Sequence, residues 1–396
     1  MTADRLDGKV AVVTGSGRGL GRAYAGAVAA AGAAVLVNDL DEQAAGKSAE
    51  AIRQAGGRAA AHVAAVGDTA PAQELVQAAV DQFGRLDAMV TNAGILRDKV
   101  LWKMSDEDFD EVVHAHLRGT FTCARAAAIQ MREQGEGGSI IVVGSPAGQC
   151  GNFGQTNYAA AKAGIVAFAR TWALELARSQ ITVNAIVPTA WTQMTASIPL
   201  HAPLIDRIDA GEPLPGAVRR DHAIGMPEEC APLVVFLASD AARDVTGQAI
   251  GIGGGKLTLY THPDEAAFAF REGGWHAEEI ADTWNGTLAS HRQQSDVAKL
   301  FSQTDAPKML HRPRRDHIGP RRRCRAVGPL DQYTWDTPPT EVSRQAQPNG
   351  SRARYCDRRV HARTHDRPAR IGYQLSIIRP PEISRLLVIR SGRSTR

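Results

Sequence analysis

Cysteine is scarce in this chain: five residues among 396, scattered at positions 123, 150, 230, 324 and 356, with no C-x-x-C pair. That excludes a dense disulfide frame and a cysteine-built zinc site, and it fits a reducing compartment. Long apolar runs are missing too. No stretch approaches the ~18 apolar residues of a membrane span, and Met1-Thr2-Ala3-Asp4-Arg5 lacks the apolar segment of a signal peptide. The expectation is a cytoplasmic protein with no membrane partner and no metal. Lysine and phenylalanine are absent after Lys308, while Arg, Pro and His are dense there. Residues 301–396 carry 21 Lys and Arg against 8 Asp and Glu, whereas residues 1–300 carry 25 against 34. The net charge of +4 therefore averages an acidic body and a basic tail. The tail has no hydrophobic period and too little apolar surface to offset chain entropy. It reads as a disordered segment or as an out-of-frame translation of GC-rich coding sequence. A nucleic-acid arm is the competing reading, because arginines neutralise phosphates. No nucleic-acid partner is expected, and no functional residue is placed in the tail.

The body carries Asn157-Tyr158-Ala159-Ala160-Ala161-Lys162, with Ser145 thirteen residues upstream of Tyr158. Residues four apart on a helix share one face, their Cβ atoms about 5–6 Å apart. A phenol is a weak acid, and an adjacent cation held out of bulk water favours its anion. A serine hydroxyl at the end of a nearby strand can then hold a carbonyl or alcohol oxygen. Taken alone, such a Tyr–Lys pair often only decorates a helix surface.

The other end of the body supplies context. An apolar run at 9–14 ends in Gly15-Ser16-Gly17-Arg18-Gly19-Leu20-Gly21, followed by an Ala-rich helical segment at 22–31. Strand, glycine turn and helix N-terminus together make a dinucleotide-site hypothesis, because backbone N–H groups can approach a pyrophosphate there. The spacing is T-G-x-x-x-G-x-G. The plainer alternative is a tight turn. Asp39 ends the second strand, where a carboxylate accepts bonds from ribose hydroxyls and repels a 2′-phosphate. Arg18 argues the other way, since a guanidinium can pair with that phosphate. NAD is the expected cofactor, with NADP kept open by Arg18. An Asp capping the next helix is the alternative role for Asp39.

Further strands are expected at 34–38, 58–65, 86–91, 139–143, 181–187 and 247–252, and further helices at 42–55, 71–83, 106–133, 156–179, 228–238 and 276–285. This alternation predicts an α/β fold: a doubly wound, parallel seven-stranded sheet of Rossmann-like order 3-2-1-4-5-6-7 with a disordered C-terminal tail. Asn92-Ala93-Gly94 follows the fourth strand at its carboxyl edge, as ligand contact or plain turn. His116 lies on an apolar helix face, where a satisfied core histidine is the commoner reading. Residues 189–226 lack clean periodicity and read as a lid or a surface loop. The organisation expected is a dinucleotide-binding catalytic domain at 1–256, an extension packed on it at 257–300, and the tail at 301–396.

The combination of T-G-x-x-x-G-x-G, Asn92-Ala93-Gly94, Ser145, Tyr158-x-x-x-Lys162 and Pro188 resembles the short-chain dehydrogenase/reductase family over residues 6 to about 256. Asn38-Asp39-Leu40, Gly94-Ile95-Leu96-Arg97-Asp98, His116-Leu117-Arg118-Gly119 and Gly151 to Tyr158 are similar to the (3R)-hydroxyacyl-CoA dehydrogenase domain of peroxisomal-type multifunctional enzymes and bacterial relatives. The resemblance implies that Tyr158 is the general acid/base, that Lys162 lowers its pKa and binds the nicotinamide ribose, and that Ser145 holds the substrate oxygen. It implies that Gly15, Gly19 and Gly21, with Arg18, Leu20 and Gly94 beside them, meet the cofactor. Asp39 takes the adenosine ribose, Asn92 sits by the cofactor, and Thr192 bonds the nicotinamide carboxamide. His116 stands where the family usually has an Asn in a proton relay, and is carried as a further catalytic candidate. The family's acid at the adenine ring falls near Ala65, which has no carboxylate.

The reaction so implied is hydride transfer between NAD and a secondary alcohol or ketone, with a small-molecule substrate of acyl-CoA or steroid-like type and a homodimer or homotetramer as the assembly. Two rivals remain: an NADPH-dependent 3-oxoacyl-carrier-protein or general carbonyl reductase, and a catalytically idle dinucleotide sensor or scaffold.

Overall fold

A computed structural model describes residues 5–192, 205, 208, 210–221 and 223–291. The arginine-rich tail and residues 193–204 of the expected lid lie outside the described residues. Residues through Asp264 belong to one compact unit, and Glu265–Gln293 belong to a second, in which a helix spans Ala277–Gly286.

The first unit is a sheet of eight strands in the order β3-β2-β1-β4-β5-β6-β7-β8. The strands are β1 (Val10–Val13), β2 (Ala34–Asp39), β3 (Arg58–Val63), β4 (Ala88–Thr91), β5 (Gly138–Val143), β6 (Ile181–Pro188), β7 (Ala249–Gly253) and β8 (Lys256–Tyr260). All neighbours are parallel through β7, with registers such as Val12↔Leu36 and Val12↔Met89. The expected order 3-2-1-4-5-6-7 is therefore present. The eighth strand is an addition: β8 pairs antiparallel with β7, from Ala249↔Tyr260 to Gly253↔Lys256. Gly254 and Gly255 join them with φ of 54° and 81°, the two left-handed positions a tight hairpin turn demands. Sequence reading did not identify β8, most of which falls within the extension expected at 257–300.

Buried runs such as Val10–Val13 point alternately to two faces, and each face carries its own helices. Val10, Val12, Ile140 and Val142 pack with residues of α3 (Thr69–Phe83), α5 (Gly119–Gln134) and α7 (Thr156–Leu176). Ala11, Val13, Ile141 and Val143 pack on the other side with α1 (Gly19–Ala30), α2 (Glu42–Gln54) and α9 (Pro227–Ala238). The strand order reverses between β1 and β4, and this is where open α/β sheets leave a crevice at the strands' carboxyl ends.

Two helices differ from expectation. The stretch 106–133 forms as α4 (Asp106–Val113), a π-helical turn (His114–Arg118) and α5. One-turn π segments widen a helix locally, and this one holds His116. After β5 a short helix, α6 (Pro146–Cys150), begins with Ser145 as N-cap and proline in its first turn, as proline's fixed φ and missing N–H favour. Among the described residues no helix is long and apolar enough to cross a membrane.

Candidate active site

The site is assembled at the carboxyl ends of β1, β2, β4 and β5. At β1 the chain turns through Gly15–Arg18 into α1, whose N-cap residue Arg18 makes no side-chain cap. The first-turn amides of α1 therefore remain available to an anion. A Cβ on Gly21 would stand 2.2 Å from the Gly15 carbonyl oxygen and 2.6 Å from Asn92 Nδ2, so only glycine fits there. Asn92 donates through Nδ2 to the Thr14 and Gly15 carbonyls at 3.1 and 3.0 Å, and its amide donates to Thr14 Oγ1 at 3.0 Å. The loop after β4 is thus pinned to the glycine turn. Thr192 approaches the same turn, its Cγ2 lying 3.8 Å from where a Cβ on Gly19 would stand. Leu20 packs against the core on the α1 side.

Asp39 accepts a hydrogen bond from the Gly17 amide at 2.9 Å through Oδ2 and from the Asp41 amide at 3.1 Å through Oδ1. A Cβ on Gly17 would lie 2.8 Å from that Oδ2, so the carboxylate sits directly against the glycine turn. Asp39 thus does not cap α2. Asp41 does, accepting from the Ala44 amide at 3.0 Å. An uncapped helix start, a glycine turn closed against backbone and a carboxylate at the second strand's end are the features that fit a dinucleotide.

At the other side of the crevice Ser145 leaves β5 and Tyr158 and Lys162 rise from α7. Ser145 Oγ accepts from the Ala147 amide at 3.2 Å, and the Tyr158 hydroxyl is close enough to the Ser145 side chain to feel it. Lys162 is only 3% exposed. Its Nζ donates to the Val143 carbonyl at 2.7 Å and lies 5.6 Å from the centroid of the Tyr158 ring. Burial alone lowers the ammonium to about 7. Burial raises the phenol above its ordinary value, the Ser145 side chain opposes that, and the charge of Asp98 adds to the rise.

His116 packs edge-on against Tyr158, with ring centroids 5.1 Å apart at 85°. Its Nε2 lies 2.8 Å from the Ile95 carbonyl oxygen and 3.1 Å from the Ile95 amide nitrogen, so one backbone unit serves either tautomer. Nδ1 is buried with no hydrogen-bond partner among the described residues. Burial first, and then the Lys162 charge, lower the imidazole to about 3, which keeps it neutral at physiological pH. Gly94 makes the ring's place: a Cβ there would stand 1.9 Å from His116 Cε1.

Sequence reading assigned no role to the residues that stitch this corner together. Gln155 donates to Asp98 Oδ2 at 2.7 Å and accepts from Asn152 Nδ2 at 2.9 Å. Asn157, fully buried, donates to the Arg97 and Asp108 carbonyls at 3.1 and 2.9 Å. These bonds tie the 97–99 loop to the turn that launches Tyr158. The only signal was their clustering immediately before Tyr158 and after Asn92-Ala93-Gly94. In the segment after β6, Trp191, Leu214 and Ile224 form a small apolar cluster. Nearby, a cleft of about 380 Å³ is lined by Ile208, Leu214, Met226 and an Arg219–Glu229 ion pair. The pair joins α8 (Gly216–Asp221) to α9.

Comparison with known proteins agrees with this geometry. A family profile described as "Enoyl-(Acyl carrier protein) reductase" matches residues 15–256. The 3-oxoacyl-(acyl-carrier-protein) reductase FabG of Thermotoga maritima is 39% identical over 254 residues, 63% of this chain and 98% of that one. The hydroxyacyl-CoA dehydrogenase ChsB1 of Mycobacterium tuberculosis is 39% identical over 313 residues, 76% of this chain and 93% of that one. Peroxisomal multifunctional enzyme type 2 of Drosophila melanogaster is 46% identical over 249 residues, 61% of this chain but only 38% of that protein. With a glycine turn, a carboxyl-edge crevice and a Ser–Tyr–Lys corner on one parallel sheet, the chain belongs to the short-chain dehydrogenase/reductase family of oxidoreductases.

Proposed function

We propose that this protein is an NAD-dependent dehydrogenase of 3-hydroxyacyl-CoA or a similar secondary alcohol. The observation that carries the reading is the corner itself: Tyr158 beside Ser145, with a nearly inaccessible Lys162 bonded to the Val143 carbonyl, at the carboxyl edge of β5, one strand beyond the β4 that pairs with the glycine-turn strand β1. When bound, the nicotinamide supplies the hydride acceptor or donor. Ser145 holds the substrate oxygen by its hydroxyl, and Tyr158 takes or returns the proton on that oxygen. Lys162 donates to a ribose hydroxyl and gains there the polar partner that keeps an ammonium charged, which draws the phenol down toward working pH. His116, neutral and wedged on the ring, holds Tyr158 in place, and its unpartnered Nδ1 is suited to a water behind Lys162. Asp39 receives the adenosine ribose. Thr192, whose methyl lies near Gly19, bonds the carboxamide in this reading.

The acyl-CoA substrate class is supported by the hydroxyacyl-CoA dehydrogenase and multifunctional-enzyme relatives. A 3-oxoacyl-carrier-protein reductase is the second reading, favoured by the FabG relative and by a guanidinium, Arg18, at the glycine turn. A panel of 3-hydroxyacyl-CoA, acyl-carrier-protein, steroid and small-alcohol substrates, followed by NADH and NADPH absorbance, separates them. Turnover of hydroxyacyl-CoA with NAD⁺ is expected. Exclusive reduction of the carrier-protein thioester with NADPH overturns the first reading.

A further inference from the structure

The turns after β1 and β2 are joined in a closed ring of four links. The Gly17 amide donates to Asp39 Oδ2 at 2.9 Å, and Asp39 Oδ1 accepts from the Asp41 amide at 3.1 Å. Asp41 Oδ2 takes the Arg18 guanidinium at 2.5 Å, and Arg18 follows Gly17 in the chain. Asp41's remaining oxygen, Oδ1, caps α2 at Ala44, so both of its oxygens are committed and its direction is set. The ring holds two carboxylates and one guanidinium, a formal charge of −1. A cofactor with free ribose hydroxyls brings only donors and acceptors to this ring. One with a 2′-phosphate brings a dianion to a place where Asp39 repels it and Arg18 is already taken.

We propose that Asp41 is a specificity-determining residue for the dinucleotide: by engaging Arg18 it withholds that guanidinium from a 2′-phosphate, and its backbone amide aims the Asp39 carboxylate at the ribose. The inference rests on the reading that the adenosine end of the cofactor lies against Asp39. It adds that an arginine in the glycine turn, which taken alone points to a phosphate, is neutralised here by a residue two positions beyond the ribose-reading acid. The Ala44 amide, and then Arg18, hold the Asp41 carboxyl below its ordinary range, so it remains an anion wherever the protein is folded at neutral pH.

Binding of NAD⁺ and NADP⁺ to the full chain without substrate, measured by isothermal calorimetry, tests this directly. Asp41→Ser keeps a side-chain oxygen for the α2 cap but removes the charge and the reach that hold Arg18. The ratio of NADP⁺ to NAD⁺ affinity is expected to rise about five- to tenfold, the scale of one partly exposed charge-assisted bond to a phosphate. Adding Arg18→Ala to Asp41→Ser is expected to return the ratio to its starting value. A ratio that stays within about twofold in Asp41→Ser, or a gain that survives loss of Arg18, overturns the role of Asp41 while leaving the NAD reading intact. A wild-type chain that already binds NADP⁺ more tightly overturns the NAD reading, and this inference with it.

Discussion

The two halves of the crevice are built from opposite materials. On the β5–α7 side, Ser145, Lys162 and His116 are buried, and the polar atoms are served largely by backbone carbonyls and amides. On the β1–β2 side, Arg18 and Asp41 are about half exposed and are served by each other. The contrast teaches where each kind of work is done. Proton chemistry needs low dielectric and fixed partners, because only there are charged and neutral forms separated by useful energies. Selection between cofactors needs only a sign of charge at the right place, and a solvent-exposed ring supplies it.

Changes on the buried side should therefore be large and changes on the exposed side small. Tyr158→Phe is expected to lower kcat by about 10²–10⁴-fold while calorimetry still records NAD⁺ binding, and retention of most of the turnover would remove the catalytic assignment. Gly21→Ala forces a methyl onto the Gly15 carbonyl and Asn92. It should cost about 1–3 kcal/mol of stability and weaken NAD⁺ binding tenfold or more, seen together in melting and titration. Asn157→Ala removes a buried side-chain donor from the Arg97 and Asp108 carbonyls, a loss of about 1–3 kcal/mol by denaturant unfolding. A normal midpoint in that variant would show that the turn before Tyr158 is held by other contacts.

Lys162 gives the comparison a pH axis. Its folded value of about 7 lies below its ordinary 10.5. Below about pH 7 both folded and unfolded chains carry the proton, and the full burial penalty is felt. Between the two values the unfolded chain holds more protons, so this residue's contribution to stability rises with pH. The stability of the cofactor-free protein relative to Lys162→Met should rise by about 1–3 kcal/mol between about pH 6.5 and about pH 9. A constant difference would mean that the amine stays charged in the fold. Smallest of all, Arg18→Ala on the exposed side should shift Tm by no more than about 2 °C. A larger shift would make the ring a structural element of the fold.

Much of this was open to reading along the chain. Strands such as β1 and β5 announced themselves as short apolar runs, because a strand buried on both faces has few polar positions to interrupt it. Tyr158, Lys162 and Ser145 were legible because their spacing is local and their chemistry is unusual for a helix face. Strand β8 was missed although Gly254-Gly255 is a hairpin signal, since glycines after the last parallel strand also read as the end of a domain. The π turn at His114–Arg118 left no mark in the hydrophobic period. Asp98 and Gln155 are 57 residues apart, and Arg18 and Asp41 are 23 apart, so nothing local announces either pair.

From the sequence came the alternation of strands and helices and the candidates for moving a proton, both carried by neighbours along the chain, and, through the family resemblance, the order of the sheet. Which groups those residues actually meet came only from the folded arrangement: Lys162 on a carbonyl of β5, His116 neutral against the phenol, Arg18 held by Asp41. Burial and charge pairing depend on distances across the sheet. Those distances exist only once separate turns have been brought to the same edge.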